Sequence, residues 1–204
     1  MNPLVPLIPE SAPFTPEQRA WLNGFFAGLY SRGPGGAPAS AASAPAELVP
    51  LTILFGSQTG TAEGIAKKAA KAASKRGFAA TVADMGNFDA SKLPAAKNVL
   101  VITSTFGDGE PPDNAKALHA ALTSDKVPSF VGLRFSVCAL GDTNYTHFCK
   151  CGREFDALLE KCGATRITAR VDCDLDHEAA FASWLEAALG ALSPAAAGTA
   201  RQAG

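Results

Sequence analysis

The chain has 204 residues, of which 47% are hydrophobic and 18% are charged, and its formal net charge is −1 at pH 7. This charge argues against nucleic acid as the main partner, because binding to a phosphate backbone usually needs a basic surface. No run of residues approaches the length of about 18 apolar positions that spans a membrane, and the N-terminus lacks the pattern of a secretory signal. Five cysteines, an odd number without an export signal, predict reduced thiols and a cytoplasmic protein.

The N-terminal segment, residues 1–32, contains a short amphipathic helix that the sequence places at residues 15–31. Thr15 is a suitable N-cap, and Pro16 suits the first helical position. Apolar residues then share one face of this helix, namely Trp21, Leu22, Phe25, Phe26 and Leu29. This face either packs on its own domain or contacts a partner, and oligomerisation through residues 15–31 is one such contact.

The rest of the chain divides by composition into a linker, a core region and a tail. Residues 33–47 are rich in Gly, Pro, Ala and Ser, which predicts a flexible linker, and residues 192–204 are an Ala/Gly-rich tail or second linker. Within residues 48–191, the predicted strands are 51–55, 78–85, 98–104, 133–140 and 165–172. The predicted helices are 61–77, 113–122, 147–163 and 177–189. Asp113 is the expected N-cap of the second of these helices.

Alternating strands and helices predict an α/β fold, with a doubly wound five-stranded parallel sheet and helices on both faces. For five strands we expect the order 2-1-3-4-5, which makes strands one, three and four neighbours. Ligands of such sheets bind beyond the carboxyl ends of the strands, near the point where the strand order reverses. The loops after these three strands, at residues 56–63, 104–114 and 141–148, should therefore meet at one crevice.

The first of these loops, GSQTGTAE, leads into the N-terminus of a predicted helix. Free N–H groups and the positive end of the helix dipole form an anion site there, and the hydroxyls of Ser57, Thr59 and Thr61 add donors. The loop lacks the lysine of a nucleoside-triphosphate loop and also the GxGxxG spacing of a dinucleotide site. It fits a phosphate monoester held by neutral donors, although a plain strand-to-helix turn is the simpler alternative.

The second and third loops each carry an aromatic residue. Phe106 lies beside Gly107 and Gly109, and Tyr145 lies in the third loop. Glycine lets a flat ligand approach the main chain, and two aromatic rings above a phosphate site can sandwich a planar group. Either aromatic residue alone is more simply explained by packing in the core or at a rim. Together, a phosphate end and an aromatic end predict a mononucleotide whose ring carries the chemistry, and flavin mononucleotide (FMN) fits.

Three segments of the chain carry a resemblance to a known family: GSQTGTAE, STFGDGEPP and LGDTNYTHFCKCGREFDALLEKCGA. They resemble the flavodoxin-like domain of the diflavin reductases over about residues 50–190. The segment PFTPEQRAWLNGFFAGL is similar to the one that precedes this domain in the flavoprotein (alpha) subunit of bacterial NADPH-dependent sulfite reductase. At Phe106 the chain matches the microsomal-type diflavin reductases, which carry an aromatic residue there, and not the sulfite reductase flavoproteins. This difference leaves the subfamily open.

The resemblance implies the FMN contacts residue by residue. The phosphate loop would comprise Ser57, Gln58, Thr59, Gly60, Thr61 and Ala62. One side of the ring would be lined by Ser104, Thr105, Phe106 and Gly107. The other side and the ribityl chain would be lined by Leu140, Gly141, Asp142, Thr143, Asn144, Tyr145, Phe148 and Cys149, and Asp174 would be a further flavin-contacting acid. No metal site is expected, since the Cys149–Cys151 pair has no further ligands close by in the sequence.

The function implied by the resemblance is the relay of single electrons. The donor would be an NADPH/FAD reductase module, and the acceptor would be a metal-containing protein such as the sulfite reductase haemoprotein. Residues 192–204 cannot hold a second nucleotide site, so the FAD- and NADPH-binding domains are expected in a longer chain or in a separate one. Two alternatives stay open, a free-standing flavodoxin carrier and a non-redox binding module of the same fold.

Overall fold

The computed structural model describes residues 8–9, 12–30 and 48–193. The chain divides into two compact units, the first ending at Ala46 and the second beginning at Glu47. The predicted linker at residues 33–47 and residues 194–204 of the predicted tail lie outside the described residues. Among the helices that are described, none combines the length and the apolar character needed to cross a bilayer.

The first unit is described mainly through one helix, α1 (Pro16–Tyr30). A capping box begins this helix: the backbone N–H of Gln18 donates to Thr15 Oγ1 at 3.3 Å, and the backbone N–H of Thr15 donates to Gln18 Oε1 at 3.0 Å. The rings of Trp21 and Phe25 stack with their centroids 5.7 Å apart, and both side chains are exposed. The helix therefore presents an aromatic surface.

The second unit is built on a parallel sheet. Its strands are β1 (Val49–Gly56), β2 (Phe78–Asp84), β3 (Asn98–Ser104), β4 (Arg134–Leu140), β5 (Thr165–Arg166) and β6 (Val171–Cys173). The strand order is β2-β1-β3-β4-β5, and β6 also pairs with β4. Every pair is parallel. The predicted fold class and the order 2-1-3-4-5 are confirmed.

The predicted fifth strand, residues 165–172, is divided into β5 and β6, which is a difference from the sequence prediction. Arg166 binds both carboxylate oxygens of the buried Asp156 at 2.8 and 3.0 Å. Arg170 binds the same carboxylate at 3.0 Å. A buried carboxylate needs such partners, and the strand is interrupted between the two arginines that supply them.

Helices cover both faces of the sheet, as predicted. They are α2 (Thr61–Ser74), α3 (Asp113–Thr123), α4 (Lys150–Lys161) and α5 (Glu178–Leu192). One apolar cluster holds Ile65 of α2 and Trp184 of α5, and the other holds Leu118 of α3 and Phe155 of α4. Strands covered on both faces need continuous apolar runs, which explains the sequences of β3 and β4.

The prediction that Asp113 caps its helix was wrong. Pro112 is the N-cap residue of α3, and Asp113 is already helical. The Asp113 carboxylate instead accepts hydrogen bonds from Lys116 Nζ at 2.7 Å and from Gln58 Nε2 at 3.1 Å. The second of these bonds connects α3 to the loop after β1.

Candidate functional site

A cavity of about 600 Å³ lies beyond the carboxyl ends of β1, β3 and β4. This volume is within the range of small-molecule sites in proteins. Its walls come from the three loops that were predicted to converge and from a fourth segment that follows β6. The lining residues are Thr59, Thr61, Ser104, Thr105, Phe106, Gly107, Leu140, Gly141, Asp142, Tyr145, His147, Phe148, Cys149, Asp174, Leu175 and His177.

Some predicted site residues lie in the loops without lining the cavity, namely Ser57, Gln58, Gly60, Ala62, Thr143 and Asn144. Conversely, His147, Leu175 and His177 line it and were not predicted. The position of Leu175 and His177 after β6 is a usable signal, because ligands bind at that edge of the sheet. No local motif distinguishes these three residues.

Gly56 ends β1 at the point where the chain enters the first loop. A Cβ atom at this position would lie 2.6 Å from Thr103 Oγ1 and 2.9 Å from the Cβ of Ala115. Both distances are too short for a side chain, so only glycine fits without movement of β3 or α3. This close approach sets where the first loop begins.

Ser57 organises the first loop from within. Its Oγ accepts hydrogen bonds from the backbone N–H of Gly60 at 3.0 Å and from that of Ala62 at 3.2 Å. Gly60 is the N-cap of α2 and has a φ of 89°, a conformation that favours glycine. The hydroxyls of Thr59 and Thr61, which are 3.3 Å apart, flank this N-cap. Since the first N–H groups of a helix have no partner within it, the loop can offer N–H and hydroxyl donors to an anion.

The first turn of α3 holds the first loop from outside. The backbone N–H of Ser57 donates to Asn114 Oδ1 at 2.9 Å. Gln58 and Asp113 exchange two hydrogen bonds, one from Gln58 Nε2 to Asp113 Oδ2 and one from the Asp113 N–H to Gln58 Oε1, both at 3.1 Å. Hydrogen bonds from Lys116 and then Gln58 lower the pKa of Asp113, which keeps it a carboxylate.

The second loop makes a tight turn that exposes Phe106. Phe106 and Glu110 exchange backbone hydrogen bonds of 2.8 Å in both directions. Gly107 and Gly109, within the turn, have φ angles of 52° and 99°, which glycine adopts readily. A Cβ on Gly109 would lie 2.8 Å from the Cβ of His147, so this turn packs closely on the third loop. The Phe106 side chain stays 44% exposed at the cavity.

The third loop presents Tyr145, which is 64% exposed, and is fastened by Asp174. The backbone N–H of Thr143 donates to Asp174 Oδ1 at 3.1 Å, and the Thr143 hydroxyl donates to Oδ2 at 2.5 Å. The pKa of Asp174 is lowered by these two hydrogen bonds and by one from the Leu175 N–H. The bond from the Thr143 hydroxyl contributes most to this lowering. Asp174 therefore lines the cavity and also connects the third loop to the segment after β6.

Close packing also fixes the N-terminus of α4 at the cavity wall. Cys149, the N-cap residue, is buried and has a φ of 54°. Thr105 Oγ1 accepts a hydrogen bond from the backbone N–H of Cys151 at 3.2 Å, so the second loop caps this helix. A Cβ on Gly141 would lie 2.8 Å from the Cys149 nitrogen. Burial raises the pKa of Cys149 to about 12, so its thiol is neutral at pH 7, and Sγ donates to the Cys173 carbonyl at 3.6 Å.

The charged groups that line the cavity within the described residues are the acids Asp142 and Asp174, with no lysine or arginine among them. A bound phosphate would therefore depend on N–H groups, hydroxyls and the dipole of α2. Among the same described residues, no group of three or more His, Cys, Asp or Glu side chains is placed to hold a metal ion.

The family model and the similar proteins that match this chain agree with one another. Residues 53–184 match the family model described as flavodoxin. The chain is 43% identical over 209 aligned positions to the sulfite reductase [NADPH] flavoprotein alpha-component of Bacillus subtilis, which covers 100% of this chain and 34% of that protein. It is 41% identical over 179 positions to the Vibrio parahaemolyticus protein of the same name, covering 85% of this chain and 29% of the relative.

Among solved structures, a Streptococcus flavodoxin (strain TIGR4) matches with a TM-score of 0.64 and 31% identity. The match covers 71% of this chain and 97% of the flavodoxin. The chain spans about a third of the length of the sulfite reductase flavoproteins that it resembles.

Proposed function

This chain belongs to the flavodoxin family, and from its match to sulfite reductase flavoproteins we propose that it relays single electrons from an NADPH/FAD reductase module to the metal centre of a sulfite reductase haemoprotein. The family binds FMN, and so does this domain. FMN supplies the redox chemistry through its isoalloxazine ring, and the protein supplies binding, orientation and electrostatics.

Both ends of the cavity fit FMN. The phosphate end, residues 57–62, offers backbone N–H groups and the hydroxyls of Thr59 and Thr61 at a helix N-terminus. The aromatic end, formed by Phe106 and residues 141–149, presents exposed aromatic side chains on two separate loops. We assign the phosphate of FMN to the first end and its ring to the second.

The site residues implied by the resemblance are retained as a proposal with refined roles. Thr59 and Thr61 would donate to the phosphate, while Phe106 and Tyr145 would cover the faces of the ring. Ser57 would act by orienting the loop, since its Oγ already accepts two backbone hydrogen bonds.

Acidic residues of the second and third loops have two proposed effects. Asp108, Glu110 and Asp142 lie in the second and third loops. Their charges would disfavour added negative charge on the ring and would steer a basic partner surface toward it.

The observation that carries the sulfite reductase assignment is the extent of the match. The Bacillus subtilis flavoprotein aligns with 100% of this chain, whereas the Streptococcus flavodoxin aligns with 71%. The N-terminal segment, which has its own helix, lies outside residues 53–184 that match the flavodoxin family model. A free-standing flavodoxin carrier is the second candidate, because the match covers 97% of that flavodoxin.

We further propose that α1 contacts another subunit through its exposed aromatic residues, Trp21 and Phe25. Stacked, exposed aromatic rings are typical of interaction surfaces. We place the protein in the cytoplasm, because all five cysteines are free thiols.

Anaerobic mixing tests the electron-transfer proposal. The FMN-loaded protein is reduced chemically and mixed with an oxidised bacterial sulfite reductase haemoprotein, while haem absorbance is recorded. We expect haem reduction at a rate that falls as ionic strength rises, and no reduction with FMN-free protein. If the haem stays oxidised while a soluble dye is reduced, the haemoprotein assignment is wrong and the free carrier is favoured.

A further inference from the structure

Asn114 is not among the residues that line the cavity, yet it contacts the phosphate end directly. It lies in the first turn of α3, and its Oδ1 accepts the backbone N–H of Ser57 at 2.9 Å. The two residues are 57 positions apart in the chain. This contact therefore joins the first loop to α3, two segments that are far apart in the sequence.

Asp84 holds the side-chain amide of Asn114 in one orientation. Asp84, the last residue of β2, accepts a hydrogen bond from Asn114 Nδ2 at 3.0 Å and from the Gly86 N–H at 2.8 Å, both on Oδ1. A carboxylate only accepts hydrogen bonds, so the amide nitrogen of Asn114 must face Asp84. The amide oxygen is thereby left to accept from Ser57.

Ser57 transmits this position to the helix N-terminus. Its N–H is bound to Asn114, while its Oγ accepts the N–H groups of Gly60 and Ala62. Gly60 is the N-cap of α2, and Ala62 is in the first turn of that helix. The direction of the donors at the phosphate end thus depends on a chain of contacts that begins at Asp84.

We propose that Asn114 is a positioning residue for phosphate recognition. By fixing Ser57 it directs the donors of residues 57–62, and so it allows the protein to favour FMN over riboflavin, which has the same ring and ribityl chain but no phosphate. This inference rests on the proposed function, specifically on the assignment of the FMN phosphate to this end of the cavity. Gln58 and Asp113 form a separate connection, so loss of the Asn114 side chain leaves the loop attached to α3.

Ligand binding to the Asn114→Ala variant of the full chain tests the proposal. Dissociation constants for FMN and for riboflavin are measured on FMN-free protein by quenching of flavin fluorescence. Because a backbone donor loses its partner and Ser57 loses its anchor, we expect FMN to bind about tenfold or more weakly. The riboflavin constant should change by less than about twofold, since the aromatic end is untouched.

Two further variants complete the test. Asp84→Ala removes the carboxylate that orients Asn114. Like Asn114→Ala, it should lower the preference for FMN over riboflavin. Asn87→Ala, at an exposed position in the turn after β2, is the matched control and should change neither constant.

The outcomes distinguish failure of the positioning role of Asn114 from failure of the phosphate assignment. If Asn114→Ala weakens both flavins equally, or weakens neither, the positioning role is wrong. Retained riboflavin binding shows that the variant is folded. If the unsubstituted protein itself binds riboflavin as tightly as FMN, then the phosphate assignment fails, and the positioning role fails with it.

Discussion

The two ends of the cavity are built in different ways. At the phosphate end, Ser57 and Gln58 are held by hydrogen bonds from within the loop and from α3. At the aromatic end, Phe106 and Tyr145 are exposed. The turn of Phe106 contains two glycines with positive φ, and the loop of Tyr145 is held by hydrogen bonds to Asp174. Hydrogen bonding to a phosphate depends strongly on the direction of each donor, whereas apolar burial against a ring depends mainly on the area in contact. The fold therefore fixes donor directions at one end and only loop backbones at the other.

The largest expected effect comes from disturbing the helix beneath the aromatic end. In Gly152→Ala, the new Cβ on α4 would lie 2.3 Å from the Cβ of Ala139 on β4. We expect the free energy of unfolding to fall by about 1–3 kcal/mol, the usual cost of overpacking. Since α4 carries the cavity residue Cys149 at its N-cap, affinity for FMN and riboflavin should fall together. Denaturant unfolding and flavin titration measure both effects.

Gly190→Ala is the matched control for this substitution. Gly190 lies in α5, and a Cβ there would meet no atom within 4 Å. Replacing an unhindered helical glycine should stabilise the protein by about 0.5–1 kcal/mol. Equal stability of the two variants would contradict the close packing of α4 on β4.

The next largest effect is expected for Ser57→Ala, which changes the phosphate end alone. It removes the acceptor for the N–H groups of Gly60 and Ala62. We expect FMN to bind about 10- to 100-fold more weakly, because these two backbone donors lose the acceptor that orients them, and riboflavin to bind as before. Ser74→Ala, at the opposite end of α2, is the control. An equal loss for both flavins would show that the two ends are not independent.

Tyr145→Leu acts on the aromatic end alone. Tyr145 is 64% exposed, so its loss should leave the free energy of unfolding nearly unchanged. Both FMN and riboflavin should bind about 2- to 10-fold more weakly, since ring stacking contributes about 0.5–1.5 kcal/mol beyond area burial. Tyr145→Phe keeps the ring and should behave as the unsubstituted protein. A loss confined to FMN would place the phosphate near Tyr145 instead.

The smallest expected effect is the pH dependence of the stability that the Asp174–Thr143 hydrogen bonds contribute. Because its hydrogen bonds lower the pKa of Asp174, its contribution to stability is present above the ordinary carboxyl pKa of about 4. That contribution is lost as the pH falls through the lowered value. In thermal unfolding from pH 7 to pH 3, the unsubstituted protein should exceed Asp174→Asn in stability at neutral pH, and the difference should shrink in acid. A difference independent of pH would contradict this assignment.

Much of the architecture follows from local sequence. The apolar runs of β1, β3 and β4 predict buried parallel strands, and the small-residue loops after them predict the crevice. The structure adds what depends on contacts between distant residues. The split of the fifth strand goes with a buried carboxylate and two arginines, which no periodicity reveals.

The same limit applies at the site. Asp113 has the residue type and position of an N-cap, but its partners are Lys116 and the distant Gln58. Asn114 is an ordinary polar residue in sequence, and its contact with Ser57 exists only once β1 and α3 are adjacent. Motifs therefore indicated which loops meet, whereas the support beneath them required the fold.

The most direct measurement is the identity of the cofactor that the protein carries. The purified protein is examined by visible absorption, and the molecule released by heat is identified by mass. We predict a yellow protein with FMN in a ratio of about one per chain and no FAD, because the cavity described at residues 57–62 and 104–177 has one phosphate end and one aromatic end. A colourless protein that also fails to bind added FMN would contradict the assignment of this cavity to FMN and the electron-transfer role that depends on it.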